Sequence, residues 1–361
     1  MSDITTTPAW ILTGQNGPSS LEFVDAFELP PLGPNDVLVC IHAAALNYRE
    51  LAIAEGKFGL PLTPPITPSS DGAGEVLKVG SAVSTFKSGD KVVAHLTVHQ
   101  GDNEPATFAD IGAGLGQGVH GTLRKYAVLH ETSLVHMPKT LGYREAATLT
   151  CSGLTAWNAL FGPGLAAAKT GVVDVGKALE GKYVLVQGSG GVSVAALQFA
   201  VATGATVIAT TSSDAKGARL SSLGAHHIIN YKITPNWGEV AKSLTPNNRG
   251  FDTVVDVGGP STVAQSLKAV KTDGLVALTG LLGASENVQV PSIMDGLTHL
   301  CTTRGFLLGT REQFREMNAL IEEKGVKPVV DERVFTFAEV KEAYEYLEQQ
   351  KHFSKVVIDV E

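Results

Sequence analysis

The pattern of apolar and polar positions changes character once along the chain. From residue 9 to about residue 140, short apolar runs at 10–13, 21–27, 36–45, 74–79, 91–96 and 122–129 are separated by Pro31, Pro34, Gly56, Gly72, Gly80 and Gly89. Strands punctuated in this way predict a β-rich unit, a partly open barrel. Residues 100–119 are rich in Gly and Ala without a period, and read as a loop. From Gly142 the spacing becomes helical over 144–160 and 167–179. Strands at 183–187, 206–210, 227–230, 252–256 and 274–280 then alternate with helices at 192–202, 214–223, 236–244 and 260–270. Such alternation predicts a parallel, doubly wound sheet covered by helices on both faces. A tail with a strand at 305–308, helices at 311–324 and 337–349 and a strand at 356–360 is expected to return to the first unit, because the sheet already has its strands. The expected organisation is α/β, with a β domain over 1–154, a dinucleotide-binding domain over 155–303 and a returning segment over 304–361.

The first strand of the alternating half ends in glycines, Tyr183-Val-Leu-Val-Gln-Gly188-Ser-Gly190-Gly191-Val-Ser193. A glycine turn between a strand and a helix lets backbone approach a pyrophosphate, and the helix N-terminus offers free N–H groups and a positive dipole end. Gly188 and Gly190 fill the first two positions of the fingerprint; Ser193 stands at the third, small enough for close packing and able to bond phosphate itself. A carboxylate that would hold a free ribose 2′-hydroxyl is expected about 20 residues after the first glycine. Thr211 occupies that place, followed by Ser212, Ser213 and Lys216. Hydroxyls and a cation suit a 2′-phosphate, so NADPH is the expected cofactor rather than NADH. Asp214 lies close enough to compete, and reads as the cap of the next helix.

Composition narrows the partners. A chain of 361 residues with 43% hydrophobic content, 18% charged residues and a net charge of −8 offers no basic surface for nucleic acid or an anionic membrane. No apolar run is long enough to span a bilayer, and the first residues lack a signal-like segment, so a soluble, cytoplasmic protein is the expectation. Cys40, Cys151 and Cys301 are too scattered for a disulfide framework or a four-thiolate zinc site.

The order of motifs resembles the medium-chain dehydrogenase/reductase superfamily over nearly the whole chain. The pieces are Asn47-Tyr-Arg-Glu-Leu, Asp71-Gly-Ala-Gly-Glu-Val, Lys87-Ser-Gly-Asp-Lys-Val, Gly121-Thr-Leu-Arg-Lys-Tyr, Cys151-Ser-Gly-Leu-Thr-Ala-Trp, the glycine turn, Phe251-Asp-Thr-Val-Val-Asp and His352-Phe-Ser-Lys-Val-Val. Their details look most like the zinc-free, quinone oxidoreductase-like and enoyl reductase-like branch. The resemblance implies a GroES-like β-barrel catalytic domain joined to a Rossmann domain, and a homodimer as one assembly its members form. In the superfamily's zinc enzymes a thiolate stands where Asn47 stands here, a histidine at Ser70 and a cysteine at Cys151, and a loop with four cysteines lies where this chain has none between Val92 and Gly121. Catalytic zinc needs three good ligands. The resemblance therefore implies that both zinc sites are absent.

It also implies roles residue by residue. Asn47 and Tyr48 match positions that line the nicotinamide cleft, where they would orient or polarise substrate; loop packing is the alternative. Thr155 matches a threonine facing the nicotinamide, or is a hydroxyl bonded within its helix. Cofactor contacts are expected along the turn at Ser189, Gly190, Gly191, Val192 and Ser193, at Thr211, Ser212, Ser213 and Lys216, and at Tyr231. Gly258, Leu281, Leu282, Phe306, Leu307 and Leu308 follow at later strand ends, and Lys355 comes from the tail. Cys151 has no base beside it in sequence and reads as a small buried residue rather than a nucleophile. His120 is a proton-donor candidate or a surface loop histidine. Without zinc to ionise an alcohol, the implied reaction is hydride transfer from NADPH to an activated C=C bond of an enone or quinone. Metal-free carbonyl reduction, and a non-redox isomerase or binding protein on the same fold, are the alternatives.

Overall fold

The computed structural model describes residues 4–168, 175–280 and 290–360. These fall into two compact units, Met1–Leu154 with Gly309–Glu361, and Thr155–Leu308.

The first unit is built on a seven-stranded sheet in the order Val330–Thr336, Lys355–Asp359, Asp36–Leu46, Asp71–Val79, Lys91–Ala94 and Leu134–His136, with Tyr126–His130 pairing a second stretch of Asp36–Leu46. A two-stranded ribbon, Thr6–Leu12 and Leu21–Glu28, stands beside it. Its core gathers Trp10, Val39, Ile41, Val76, Leu123, Phe335 and Tyr344. The strand Lys355–Asp359 is buried at its first four residues and pairs antiparallel with Ala43–Leu46. The tail thus completes a sheet begun some three hundred residues earlier. The edge strand Val330–Thr336 was not legible, because the charged run Asp331-Glu332-Arg333 hides its alternation.

The second unit is a six-stranded, all-parallel sheet ordered His227–Asn230, Thr206–Thr211, Tyr183–Gln187, Phe251–Asp256, Val270–Leu278, Thr302–Gly305. Numbered along the unit this is 3-2-1-4-5-6, the doubly wound order whose reversal point lies beside its first strand. Val184, Leu185 and Val186 are fully buried, as a central parallel strand requires.

Three elements differ from expectation, the first being the strand expected at 305–308 in the returning tail, which lies at Thr302–Gly305 and is the sixth strand of the second unit's sheet. The segment read as a loop carries a helix, Phe108–Ala113, started by a Thr107/Asp110 capping box and too short to show a period. The single helix expected over 144–160 is broken into Tyr143–Ala147, a π-turn at Leu149–Gly153 and Leu154–Ala168. Thr150 Oγ1 donates to Ala94 O at 2.7 Å and anchors the π-turn to the first unit's sheet; such turns are frequent at functional sites. Most of the helix expected over 167–179 lies outside the described residues.

The chain re-enters the first unit at Gly309, whose carbonyl accepts a bond from His95 Nε2 at 3.1 Å. A carbonyl can only accept, so Nε2 carries the proton and Nδ1 takes the hydroxyl proton of Thr97, 3.1 Å away. Burial brings the His95 pKa down to about 4, with the Gly309 bond opposing and the Arg311 charge adding to the shift. A histidine held neutral by the fold stabilises fully above its unfolded pKa of about 6.5, and loses that contribution as pH falls through about 4. Urea titrations at pH 7 and pH 4 should therefore show a loss of about 3 kcal/mol from this group. That loss should vanish in His95→Asn; an unchanged pH dependence would refute the assignment.

Candidate functional site

Asn47 ends the strand Asp36–Leu46 and precedes the helix Tyr48–Ala54. Its backbone N–H is held by Glu50 Oε2 at 2.8 Å, and its side chain is 9% exposed. The side-chain oxygen accepts from Ser152 Oγ at 3.1 Å, a residue presented by the π-turn, and from the ammonium of Lys355. Lys355 Nζ donates as well to Leu46 O at 2.8 Å and to Asp71 Oδ2 at 3.1 Å. Three donors thus meet three acceptors, in a place where Lys355 and Asp71 are almost wholly buried. The consequence for Asn47 is a fixed amide. Its oxygen faces the ammonium, and its Nδ2 is a buried donor without a partner.

The positions that carry zinc ligands in metal-dependent members of the resembling family are Asn47, Ser70 and Cys151. Ser70 Oγ lies 2.9 Å from Asp71 Oδ1 and 3.4 Å from Glu50 Oε1, spent on carboxylates. Enclosure, with the nearby Asp71 and Glu50 charges, pushes the Cys151 thiol up to about 12, so it is not a nucleophile at neutral pH. The one oxygen Asn47 could offer a metal already faces a cation. Among the described residues no group of three or more His, Cys, Asp or Glu could hold a metal ion. This donor set does not fit zinc.

Tyr48 opens its helix 41% exposed. His120 is held as a neutral imidazole. Its Nδ1 accepts from Thr67 N at 3.1 Å, its ring packs edge-on to Phe27, and burial with the Arg124 charge brings its pKa down to about 4.

In the second unit the glycine turn has the geometry its sequence implies. Gly188 has φ +79°, and a Cβ added at Gly188 or Gly190 would meet no atom within 4 Å, leaving open space against the backbone. The helix Gly191–Ala202 begins at Gly190, a cap with no side chain to bond its first N–H groups. An uncapped helix start facing open space fits a pyrophosphate, which would lie against Ser189, Gly190, Gly191 and Val192. Ser193 takes a different part from the one expected of its hydroxyl. It is 1% exposed and donates to Gln187 O at 2.5 Å, tying the helix to the strand it follows.

Thr211 is also turned inward. It is 1% exposed, with Oγ1 3.3 Å from Ser213 O and 3.4 Å from Ser213 N, so it shapes the turn instead of meeting a ribose. Ser213, not Asp214, caps the helix Asp214–Ser222, its Oγ accepting from Lys216 N at 3.3 Å. Asp214 accepts from Asn230 Nδ2 at 3.0 Å. Ser212, Ser213 and Lys216 remain around the start of that helix, partly exposed. Tyr231 N donates to Thr211 O at 3.0 Å and the ring is 40% exposed.

The next strand ends in Asp256, which sequence reasoning passed over. Its fully buried carboxylate accepts from Gly258 N, Gly259 N and Thr262 Oγ1 on one oxygen, and from Gln187 Nε2 and Ser266 Oγ on the other, at 2.6 to 3.2 Å. It ties the end of the strand Tyr183–Gln187 to its own turn and to the helix Val263–Ala269, and fixes Gly258. Phe306 stacks beneath the Arg304 guanidinium at 4.6 Å, while Leu308, at φ +57°, gives its carbonyl to Asn158 Nδ2 at 2.6 Å. Leu307 lies between them, partly exposed. Thr155 is buried in this unit's first helix. Leu281 and Leu282 lie outside the described residues.

Lys355, expected at the cofactor, has all three of its protons committed inside the first unit. Asp71, Glu50 and Ser152 were missed, because a carboxylate or hydroxyl with no motif spacing gives no sign of which distant residue it will meet.

Comparison with known proteins follows the same division. Residues 33–139 match the alcohol dehydrogenase GroES-like domain and residues 191–323 the zinc-binding dehydrogenase domain. The chain is 44% identical, over 93% of its length and 94% of the relative's, to a zinc-type alcohol dehydrogenase-like protein of Schizosaccharomyces pombe. It is 30% identical, over 97% of its length and 78% of the relative's, to the chloroplastic NADPH-dependent alkenal/one oxidoreductase of Arabidopsis thaliana. A crystal structure from Sinorhizobium meliloti 1021, of a protein assigned to the alcohol dehydrogenases, superposes with a TM-score of 0.86 at 34% identity, covering 99% of each chain.

Proposed function

Because the chain belongs to the medium-chain dehydrogenase/reductase superfamily and is an oxidoreductase of that kind, we propose that it is an NADPH-dependent, zinc-independent reductase of an activated C=C bond, in an enone or a quinone. The observation that carries the reading is the Asn47 amide, pinned by Lys355 and Ser152 so that its unpartnered Nδ2 is free to donate. Such a donor holds a substrate carbonyl oxygen and stabilises the negative charge that grows there as the conjugated double bond is reduced. NADPH held at the Gly188–Gly191 turn supplies the hydride, with Ser212, Ser213 and Lys216 around its 2′-phosphate. The same oxygen is not activated by a metal, since the donor set at Asn47, Ser70 and Cys151 does not fit one. The Arabidopsis relative, named for NADPH and for alkenals and enones, supports the choice of cofactor and substrate.

The test is consumption of NADPH and of NADH by purified protein offered enones, quinones and aldehydes, with metal analysis of the same sample. Turnover of enones or quinones with NADPH, at a KM at least tenfold below that for NADH and with zinc well below one per chain, is the expected result. Turnover of aldehydes alone would establish the carbonyl-reductase alternative.

The protein is proposed to work as a homodimer. Val290, Ile293, Met294, Leu297 and Leu300 are each more than half exposed, beside the strand Thr302–Gly305 at the sheet's edge. So much apolar surface next to a strand edge supports this reading, since such surfaces suit pairing with a second chain. Sedimentation should give a dimer, and Ile293→Asp a monomer; a wild-type monomer at micromolar concentration would reject the assembly.

A further inference from the structure

Arg49, two residues past Asn47, does not point its charge at solvent. Its guanidinium is 5.5 Å above the Phe58 ring and donates to Leu115 O at 3.1 Å, Ile111 O at 3.2 Å and Gln117 Oε1 at 3.3 Å. It also pairs with Glu50 at 3.3 Å, the carboxylate that holds the Asn47 N–H. One buried side chain therefore ties the Asn47 turn to the lobe carrying the helix Phe108–Ala113. The tie is reinforced from the other side. Gln117 Nε2 donates to Leu60 O and Pro61 O, at 3.3 and 3.4 Å. Gly112 lets Leu60 sit so close that an added Cβ would come within 2.5 Å of its methyl.

The product of this construction is an aromatic pair. Phe58 and Phe108 stack with centroids 5.8 Å apart and planes at 30°. Phe58 is partly buried against the core, and Phe108 is left 46% exposed. An exposed phenylalanine on a surface helix is ordinary. One seated on a second ring, in a lobe bolted by a buried arginine to a substrate-holding turn, is a built apolar surface. The cluster's own cation is buried, with its two terminal nitrogens spent on carbonyls, an amide and Glu50.

We propose that Phe108 is a specificity-determining residue, whose open edge takes an aromatic substituent of the substrate. This inference rests on the enone reading for its reaction, but the surface binds its ligand whether or not reduction follows.

Steady-state kinetics with two enones that differ only in a phenyl group, benzylideneacetone and methyl vinyl ketone, read it directly. Phe108→Ala should raise KM for benzylideneacetone roughly five- to tenfold more than it raises KM for methyl vinyl ketone, the loss expected of one aromatic contact. Phe108→Tyr should restore the difference, and kcat for both should stay within about twofold. An equal rise for the two ketones would overturn the proposal. Calorimetry with the saturated analogues, benzylacetone and butanone, decides the matter without turnover. Benzylacetone should bind the wild type more tightly than butanone and lose that advantage in Phe108→Ala. If no enone is reduced, the functional reading fails by itself. If benzylacetone binds no better than butanone, or is indifferent to Phe108→Ala, the aromatic site fails whatever the kinetics show.

Discussion

Lys355→Met is expected to cost about 3–5 kcal/mol of folding stability, the range for breaking a buried ion pair by removing one partner. The substitution leaves Asp71, fully buried, with a carboxylate that has lost its cation, and leaves Leu46 O and Asn47 Oδ1 without their donor. Methionine matches the length of the lysine stem, so packing alone does not account for the loss. The double variant Lys355→Met/Asp71→Asn removes both charges and should recover a large part of the stability, because a neutralised pair is far cheaper to bury than a broken one. Urea unfolding of wild type, single and double variants measures this. A single variant within 1 kcal/mol of wild type, or a double variant no better than the single, would show that the pair does not carry the site.

Asn47→Asp separates the chemistry from the fold. A carboxylate at this position keeps the shape of the amide and the contact with the Lys355 ammonium, so the protein should still fold, at some cost in stability for a second buried carboxylate beside Asp71. It removes the unpartnered Nδ2 donor and puts an acceptor in its place. Loss of a single donor to a developing oxyanion reduces kcat by roughly 10²–10³-fold, and that is the expected fall, with KM for NADPH little changed. Asn47→Ala should lose a similar amount of kcat and also some stability, because Lys355 keeps one fewer acceptor. Full turnover in the folded Asn47→Asp protein would assign the carbonyl contact to another group.

How far the residues foretold this arrangement depends on the range over which each feature is decided. The glycine turn is local. Its strand, its glycines and its helix are contiguous, and the open space at Gly190 follows from the run itself. The parallel sheet follows from the alternation of elements, whereas its strand order does not, since the same alternation serves more than one doubly wound order. Thr211 and Ser193 show where local reading stops, since a hydroxyl at a cofactor-binding position bonds its own turn just as well as it bonds phosphate, and only burial decides. Lys355 shows the same over a long distance. Its family position pointed to the cofactor, while its three acceptors stand 284 to 309 residues away in sequence. The π-turn that delivers Ser152 lies inside what reads as one uninterrupted helix. Its cause, the Thr150 bond to a strand carbonyl, exists only after the sheet has formed.

The strand Lys355–Asp359 sits between two neighbours, Asp36–Leu46 and Val330–Thr336, and every residue of the second unit is synthesised before it. At roughly 5–20 residues per second, about 200 residues separate the first part of the sheet from this strand by some 10–40 s on the ribosome. Through that interval the nascent N-terminal half exposes the backbone of Ala43–Leu46 and carries Asp71 without a counter-ion. Quality-control machinery would meet the protein in that state, and competence waits for Lys355.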